Sequence, residues 1–293
     1  MINFNCQNLT QLKEKISSSN YTFDKPKEYK IPRGIITASG TVDRLRDSYV
    51  SIKMLRDAGC RLPIELFYAD EKEITKSQFG IFNELNVNCI NIQSHCPFEA
   101  YDGRNFSIKA IAVYLSKFKE LIWMDSDVIP LVNFEKLFNN RQYINYGYFF
   151  NNDLWSFKKL ETVFTDKIQK LIQILKDDEK YTILPGSPEL DSGLFLLNRQ
   201  KLPFKFFDIL LLLNTNNHLI YNKFCYGDKD TFQIAIRMIF DNFYYNLLQP
   251  SVIGIKANEF LCGNGTILRH DYNNIAVHMT LRSISELKKM DIF

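Results

Sequence analysis

LIWMDSDVIPL, residues 121 to 131, decides how this chain is read. An apolar run of strand length ends in two aspartates one residue apart, Asp125 and Asp127, with Pro130 just beyond. Carboxylates this close repel each other, so they either stay in water or share a cation. A continuous apolar run is the pattern of a strand buried on both faces. The reading therefore puts the acidic pair at the carboxyl end of a buried strand.

The neighbouring segments supply the context. RGIITAS (33–39) reads as a first strand, and TVDRLRDSYVSIKMLRDAGC as a helix with Val42, Leu45, Tyr49, Ile52 and Leu55 at helical spacing and Gly59 as its stop. LPIELFYA is a second strand, ITKSQFGIFNEL a helix, VNCINI a third strand, and RNFSIKAIAVYLSKF a helix ending near Phe118. Strand alternating with helix predicts an α/β fold, a mostly parallel sheet covered by helices. Open sheets of this kind bind ligands outside the carboxyl ends of their strands, which is where Asp125, Ser126 and Asp127 fall.

Spacing alone proves little. If each acidic type makes up roughly 6% of residues, about one Asp-x-Asp arises by chance at this length, and YGDKDTF supplies a second in Asp228 and Asp230. That second pair opens a predicted helix, where capping and the helix dipole are an alternative reason for acidic residues.

The chain has 293 residues, 46% of them hydrophobic and 14% aromatic, enough for a sizeable core. A net charge of +3 is too mild for a nucleic-acid footprint. The N-terminus is polar, with no run long enough for a signal core, and the longest apolar cluster, Phe206 to Leu213, is shorter than a bilayer needs. Six scattered cysteines without a C-x-x-C pair read as reduced thiols, so a cytoplasmic location is expected. Residues 1–30 read as an extension, a helix and linker, ahead of a single domain over 31–293.

Several segments in order resemble the GT-A glycosyltransferases, in particular the retaining, fungal α-mannosyltransferase-like family and, more distantly, the glycogenin-like enzymes. They are RGIITASG with LRDAGCRLPIELFYAD, SIKAIAVYLSKFKELIWMDSDVIPLVNFEKLF, SPELDSGLFLLNRQK, YGDKDTFQIAI, and QPSVIGIK with IAVHM. The resemblance runs from about residue 33 to about residue 280. It implies a nucleotide-sugar half over 31–130 and an acceptor half over 131–293. It also implies transfer of a hexose from a nucleotide diphosphate sugar to a glycan or glycoprotein hydroxyl, with retention at the anomeric carbon.

GDP-mannose is the donor the resemblance favours, with a UDP-hexose or UDP-N-acetylhexosamine as rivals. A divalent ion, Mn²⁺ or Mg²⁺, would bridge the diphosphate as a Lewis acid. The resemblance implies Asp127 as a metal ligand, Asp125 shared between metal and ribose, Ser126 between them at the donor, and His278 of IAVHM as the third metal ligand. His270 is close enough in sequence to be confused with it.

Lys109, and with it Arg104, is expected to face the donor phosphates, and the strand end Thr37, Ala38 and Ser39 to hold the nucleoside. Acidic residues entering a buried strand are costly unless they serve a ligand or a cap, and for a retaining transferase, as the resemblance implies, Asp191, then Glu189, then Asp228 are the candidate catalytic carboxylates. Loop capping by Asp191 is the alternative. Two other classes stay open: a non-catalytic sugar-nucleotide or glycan-binding protein on the same fold, and a phosphatase or nuclease.

Overall fold

A computed structural model describes residues 5–18, 29–39, 42–69, 74–95, 107–153, 165–184, 187–240, 251–257, 260–270 and 273–279. In chain order the elements are α1 (Leu9–Ser17), β1 (Ile31–Ser39), α2 (Val42–Asp57), β2 (Ile64–Tyr68), α3 (Lys76–Glu84), β3 (Val87–Asn91), α4 (Ser107–Leu115), β4 (Phe118–Met124) and β5 (Val128–Pro130). There follow α5 (Arg141–Tyr146), β6 (Tyr148–Asn152), α6 (Thr165–Lys176), β7 (Leu190–Asn198), α7 (Phe204–Thr215), α8 (Asn217–Ile220) and α9 (Asp228–Ile239), then β8 (Ser251–Ala257), β9 (Phe260–His270) and β10 (Asn273–Met279).

The main sheet has the order β3-β2-β1-β4-β7-β6. β3, β2, β1 and β4 run parallel, while β7 is antiparallel to both β4 and β6. Five of the six strands thus share one direction, as the alternation of strand and helix predicts. Successive side chains of a strand face opposite sides, so Ile36, Trp123 and Phe195 pack into one core with α4, α7 and α9. Their neighbours Ile35, Ile122 and Leu196 pack into the other with α2 and α3. A second, antiparallel sheet has the order β5-β10-β9-β8.

Local signals explain several boundaries. Gly59, at φ +87°, takes the left-handed conformation that ends α2. Thr75 and Gln78 form a reciprocal capping box at the start of α3. The helix expected to run to Phe118 stops at Leu115, and Phe118 instead opens β4, where it is 1% exposed. The N-terminal helix, read from sequence as an extension, buries Leu12 and Ile16 in the main core beside α6 and α7. Among the described residues no helix is long and apolar enough to cross a membrane.

β7 starts earlier than LFLLN suggests, so Asp191 and Ser192 lie within the strand. Its pairing with β6 also slips. Phe150 stands opposite Phe195, yet Asn151 stands opposite Asp191, so β6 advances one residue while β7 covers four. The extra residues of β7 form a bulge around Gly193, a device that re-aims side chains at a sheet edge.

Candidate metal and nucleotide site

The turn after β4 is fixed by backbone bonds: Asp125 N donates to Gly193 O at 2.8 Å, and Val128 N to Asp125 O at 3.1 Å. β10 then pairs antiparallel with β5, placing His278 opposite Val128, and Met279 N donates to Asp127 O at 3.0 Å. Two segments about 150 residues apart in the chain therefore converge. Ligand atoms of Asp125, Asp127 and His278 all lie within 4.8 Å of one another.

His278 Nε2 is 3.6 Å from Asp127 Oδ1 and 3.8 Å from Asp125 Oδ2. Its Nδ1 is 2.9 Å from Asp191 Oδ2, and the other Asp191 oxygen accepts from Gly193 N at 2.7 Å. A carboxylate that accepts a hydrogen bond from Nδ1–H leaves Nε2 to face a metal and fixes the ring's orientation. Gly193 makes room for that ring, since a Cβ there would sit 2.5 Å from His278 Cε1. Two carboxylate oxygens and one imidazole nitrogen, half-buried and converging, fit a divalent ion of the Mn²⁺ or Mg²⁺ type.

The charges of the cluster act strongly on one another. Burial pulls the His278 pKa down, but Asp191, then Asp127 and Asp125, outweigh it and raise it to about 10. Burial raises Asp191, yet the His278 charge and hydrogen bond bring it below its ordinary value. Asp125 is raised, by burial first and by the like charge of Asp127, against the opposing pull of Lys109. Two carboxylates under mutual strain of this kind are relieved by a cation.

Lys109 is 7% exposed and centrally placed. Its Nζ donates to Asp125 Oδ2 and to the carbonyl and hydroxyl oxygens of Ser192, each at 3.0 Å, and is ion-paired to Asp228 Oδ2 at 3.0 Å. Burial works against the ammonium, but Asp125 and Asp228 hold its pKa above the ordinary lysine value. Asp228, in the first turn of α9, thus points at Lys109, and burial raises its own pKa. Trp123 completes the wall, donating from Nε1 to Asp125 Oδ1 at 2.7 Å.

The other expected residues fall as follows. Ser126 is buried, and its carbonyl accepts from Ser51 Oγ at 2.9 Å. Thr37, Ala38 and Ser39 close β1, beside the end of β4 by the register Ile36↔Trp123, so they border the same edge. Glu189 lies outside the metal cluster and pairs with Lys229 at 2.8 Å. Arg104 and the His270 side chain lie outside the described residues.

Two charged contacts were missed from sequence. Arg44 of α2 holds Asp127 Oδ2 at 2.9 Å, with the buried Asp47 at 3.6 Å on its other side. Lys229 bridges Asp153 and Glu189 at 2.7 and 2.8 Å. No local pattern marks Arg44, whereas Lys229 sits inside the quoted YGDKDTF.

Sheet order, strand directions and the position of the cluster define a GT-A glycosyltransferase fold. The solved bifunctional glycosyltransferase WbbM shares it, with a TM-score of 0.52 and 10% identity over 70% of this chain and 37% of that one. Residues 32–271 match the family model described as "Mannosyltransferase putative", and the chain belongs to that family. It is 30% identical over 148 residues to Alpha-1,2-mannosyltransferase MNN21 of Candida albicans, covering 46% of this chain and 22% of the relative. To Alpha-1,2-mannosyltransferase MNN23 of the same organism it is 21% identical over 240 residues, covering 78% of this chain and 39% of the relative. The chain thus spans well under half the length of these curated relatives.

Proposed function

We propose that this chain is a metal-dependent glycosyltransferase that moves a mannosyl group from a nucleotide diphosphate donor, GDP-mannose first, to a hydroxyl of a glycan or glycoprotein acceptor, with retention at the anomeric carbon. The observation that carries this reading is the cluster of Asp125, Asp127 and His278, oriented by Asp191 at the carboxyl edge of the sheet, in a chain of the mannosyltransferase family.

Asp125, Asp127 and His278 would hold the ion. Bound there, it supplies Lewis-acid stabilisation for charge developing on the departing diphosphate. Asp191 keeps the proton of His278 on Nδ1, so the imidazole presents Nε2. Lys109, its N–H donors taken up by Asp125, Asp228 and Ser192, contributes a fixed positive charge beside the same edge rather than a hydrogen bond to the donor. With both Asp191 oxygens engaged, Asp228 is the better placed carboxylate to face positive charge on the sugar carbon. The end of β1 borders the nucleoside.

The test is transfer of labelled sugar from GDP-mannose, UDP-hexoses and UDP-N-acetylhexosamines to mannose-terminated oligosaccharides, with Mn²⁺ or with chelator. Transfer from GDP-mannose that stops on chelation, returns with Mn²⁺ and gives an α-anomer by proton NMR is the expected result. Transfer unaffected by chelation, or absent with every donor, contradicts it.

A further inference from the structure

We propose that Trp123 is a positioning residue that sets which cation the site prefers: it ties down one oxygen of Asp125, so that this carboxylate offers a single oxygen and Mn²⁺ is favoured over Ca²⁺; this rests on the metal-dependent reading above. Trp123 and Asp125 are two residues apart on the extended chain that leaves β4, so their side chains lie on one face of the sheet. The indole Nε1–H donates to Asp125 Oδ1 at 2.7 Å. Oδ2 accepts from Lys109 at 3.0 Å and lies 3.8 Å from His278 Nε2. Oδ2 is thus the oxygen turned to the cluster, and Oδ1 the one turned to the ring.

The ring cannot follow the carboxylate. Trp123 is 2% exposed, stands opposite Phe195 in the β4–β7 register and stacks on it, with centroids 6.1 Å apart and 13° between the planes. Phe195 is packed in turn against Phe150 and Phe232, at 4.9 and 4.8 Å between centroids. Lys109 Nζ lies 5.4 Å from the indole centroid. Tryptophan has one side-chain N–H and no acceptor, so swinging Oδ1 towards an ion would leave that donor buried and unpaired, which is costly. Asp127 is treated alike from the α2 side: Oδ2 is held by Arg44 at 2.9 Å, and Oδ1 is 3.6 Å from His278 Nε2. The Arg44 side chain is 40% exposed, so water can replace it there, whereas the indole is enclosed.

Holding one oxygen back discriminates between ions. Ca²⁺ gathers roughly six to eight oxygens and can take both from one carboxylate, whereas Mg²⁺ keeps to an octahedron, a geometry Mn²⁺ shares. Restricting Asp125 to Oδ2 therefore lowers the number of ligands offered to Ca²⁺ and leaves a ready oxygen in place for Mn²⁺. The imidazole of His278 is already a poor ligand for Ca²⁺, which prefers oxygen, and the indole adds to that bias through the neighbouring carboxylate.

The test is the Mn²⁺ affinity of the whole chain, read by electron paramagnetic resonance of free Mn²⁺, with Ca²⁺ affinity from competition in the same assay. Trp123→Phe keeps a ring against Phe195 and loses the N–H, while Phe195→Leu keeps the N–H and loses the stack. The expected result is a wild-type preference for Mn²⁺ and, in Trp123→Phe, a Mn²⁺ Kd raised about tenfold with the Ca²⁺ Kd changed less than about threefold. In Phe195→Leu the ratio of the two constants stays at the wild-type value, even where the thermal midpoint falls. Equal loss of both ions in Trp123→Phe, an unchanged Mn²⁺ Kd, or the same fall in preference in Phe195→Leu overturns the proposal, because packing alone then accounts for Trp123. So does a wild type that binds Ca²⁺ as tightly as Mn²⁺. If Trp123→Phe does not fold, replacement of Trp123 by 3-benzothienylalanine, which carries sulfur in place of the N–H in a ring of the same shape, decides by the same criteria. A wild-type chain that binds no Mn²⁺ instead overturns the metal-dependent reading on which this one rests.

Discussion

Asp127 shows how one carboxylate can serve two masters at the residue scale: Oδ1 faces His278 while Oδ2 is pinned by Arg44. Removing a group that orients a metal ligand commonly costs about 10–100-fold in affinity. Arg44→Ala should therefore weaken Mn²⁺ binding about tenfold, read by electron paramagnetic resonance of free Mn²⁺, with a thermal midpoint within a few degrees of wild type. Unchanged Mn²⁺ affinity would remove Arg44 from the site. The acidic pair and His278 were legible in sequence because ordered motifs surround them. Arg44 was not, since its partner lies 83 positions away and a lone arginine on a helix gives no sign of what it faces.

Elements, rather than residues, set the shape of the site. The slip between β6 and β7 brings Gly193 against His278, and sequence could not show it because pairing register is a relation between strands. Gly193→Ala forces a Cβ into the space of the imidazole. Overpacking of this kind costs about 1–3 kcal/mol, and here it displaces a metal ligand, so loss of Mn²⁺-dependent stabilisation is expected in a thermal-shift assay. On α7, Asp208 stands between Phe207 and Ile209, burial lifts its pKa to about 7, and its Oδ1 finds no hydrogen-bond partner among the described residues. A carboxyl whose folded pKa is raised favours folding least once it is ionised, so stability falls as pH rises from about 4 through about 7. Asp208→Asn should thus stabilise by about 1 kcal/mol at pH 8 and by nothing measurable at pH 4. Equal effects at both pH values in denaturant melts would contradict that account.

Across the whole molecule, the order of strands and helices and the sheet edge that carries the site were readable from hydrophobic period. The place of the N-terminal helix was not, because a short amphipathic segment does not announce what it packs on. Leu12 and Ile16 are buried, Cys6 N donates to Asn216 Oδ1 at 2.5 Å, and Lys13 pairs with Asp177 at 2.7 Å. Full burial of an aliphatic side chain is worth roughly 1.5–3 kcal/mol, so deleting residues 1–18 removes on the order of 5 kcal/mol from a total that is commonly 5–15. The truncated chain should melt at least ten degrees lower, and an unchanged midpoint would return that helix to the status of an appendage. The central claim, that two carboxylates and a histidine hold a cation that holds a diphosphate, is tested most directly by calorimetry of GDP and UDP with and without Mn²⁺, on wild type and His278→Ala. The account predicts nucleotide binding that requires Mn²⁺ in the wild type and is lost in the variant. Metal-independent binding, or equal binding by both proteins, would contradict it.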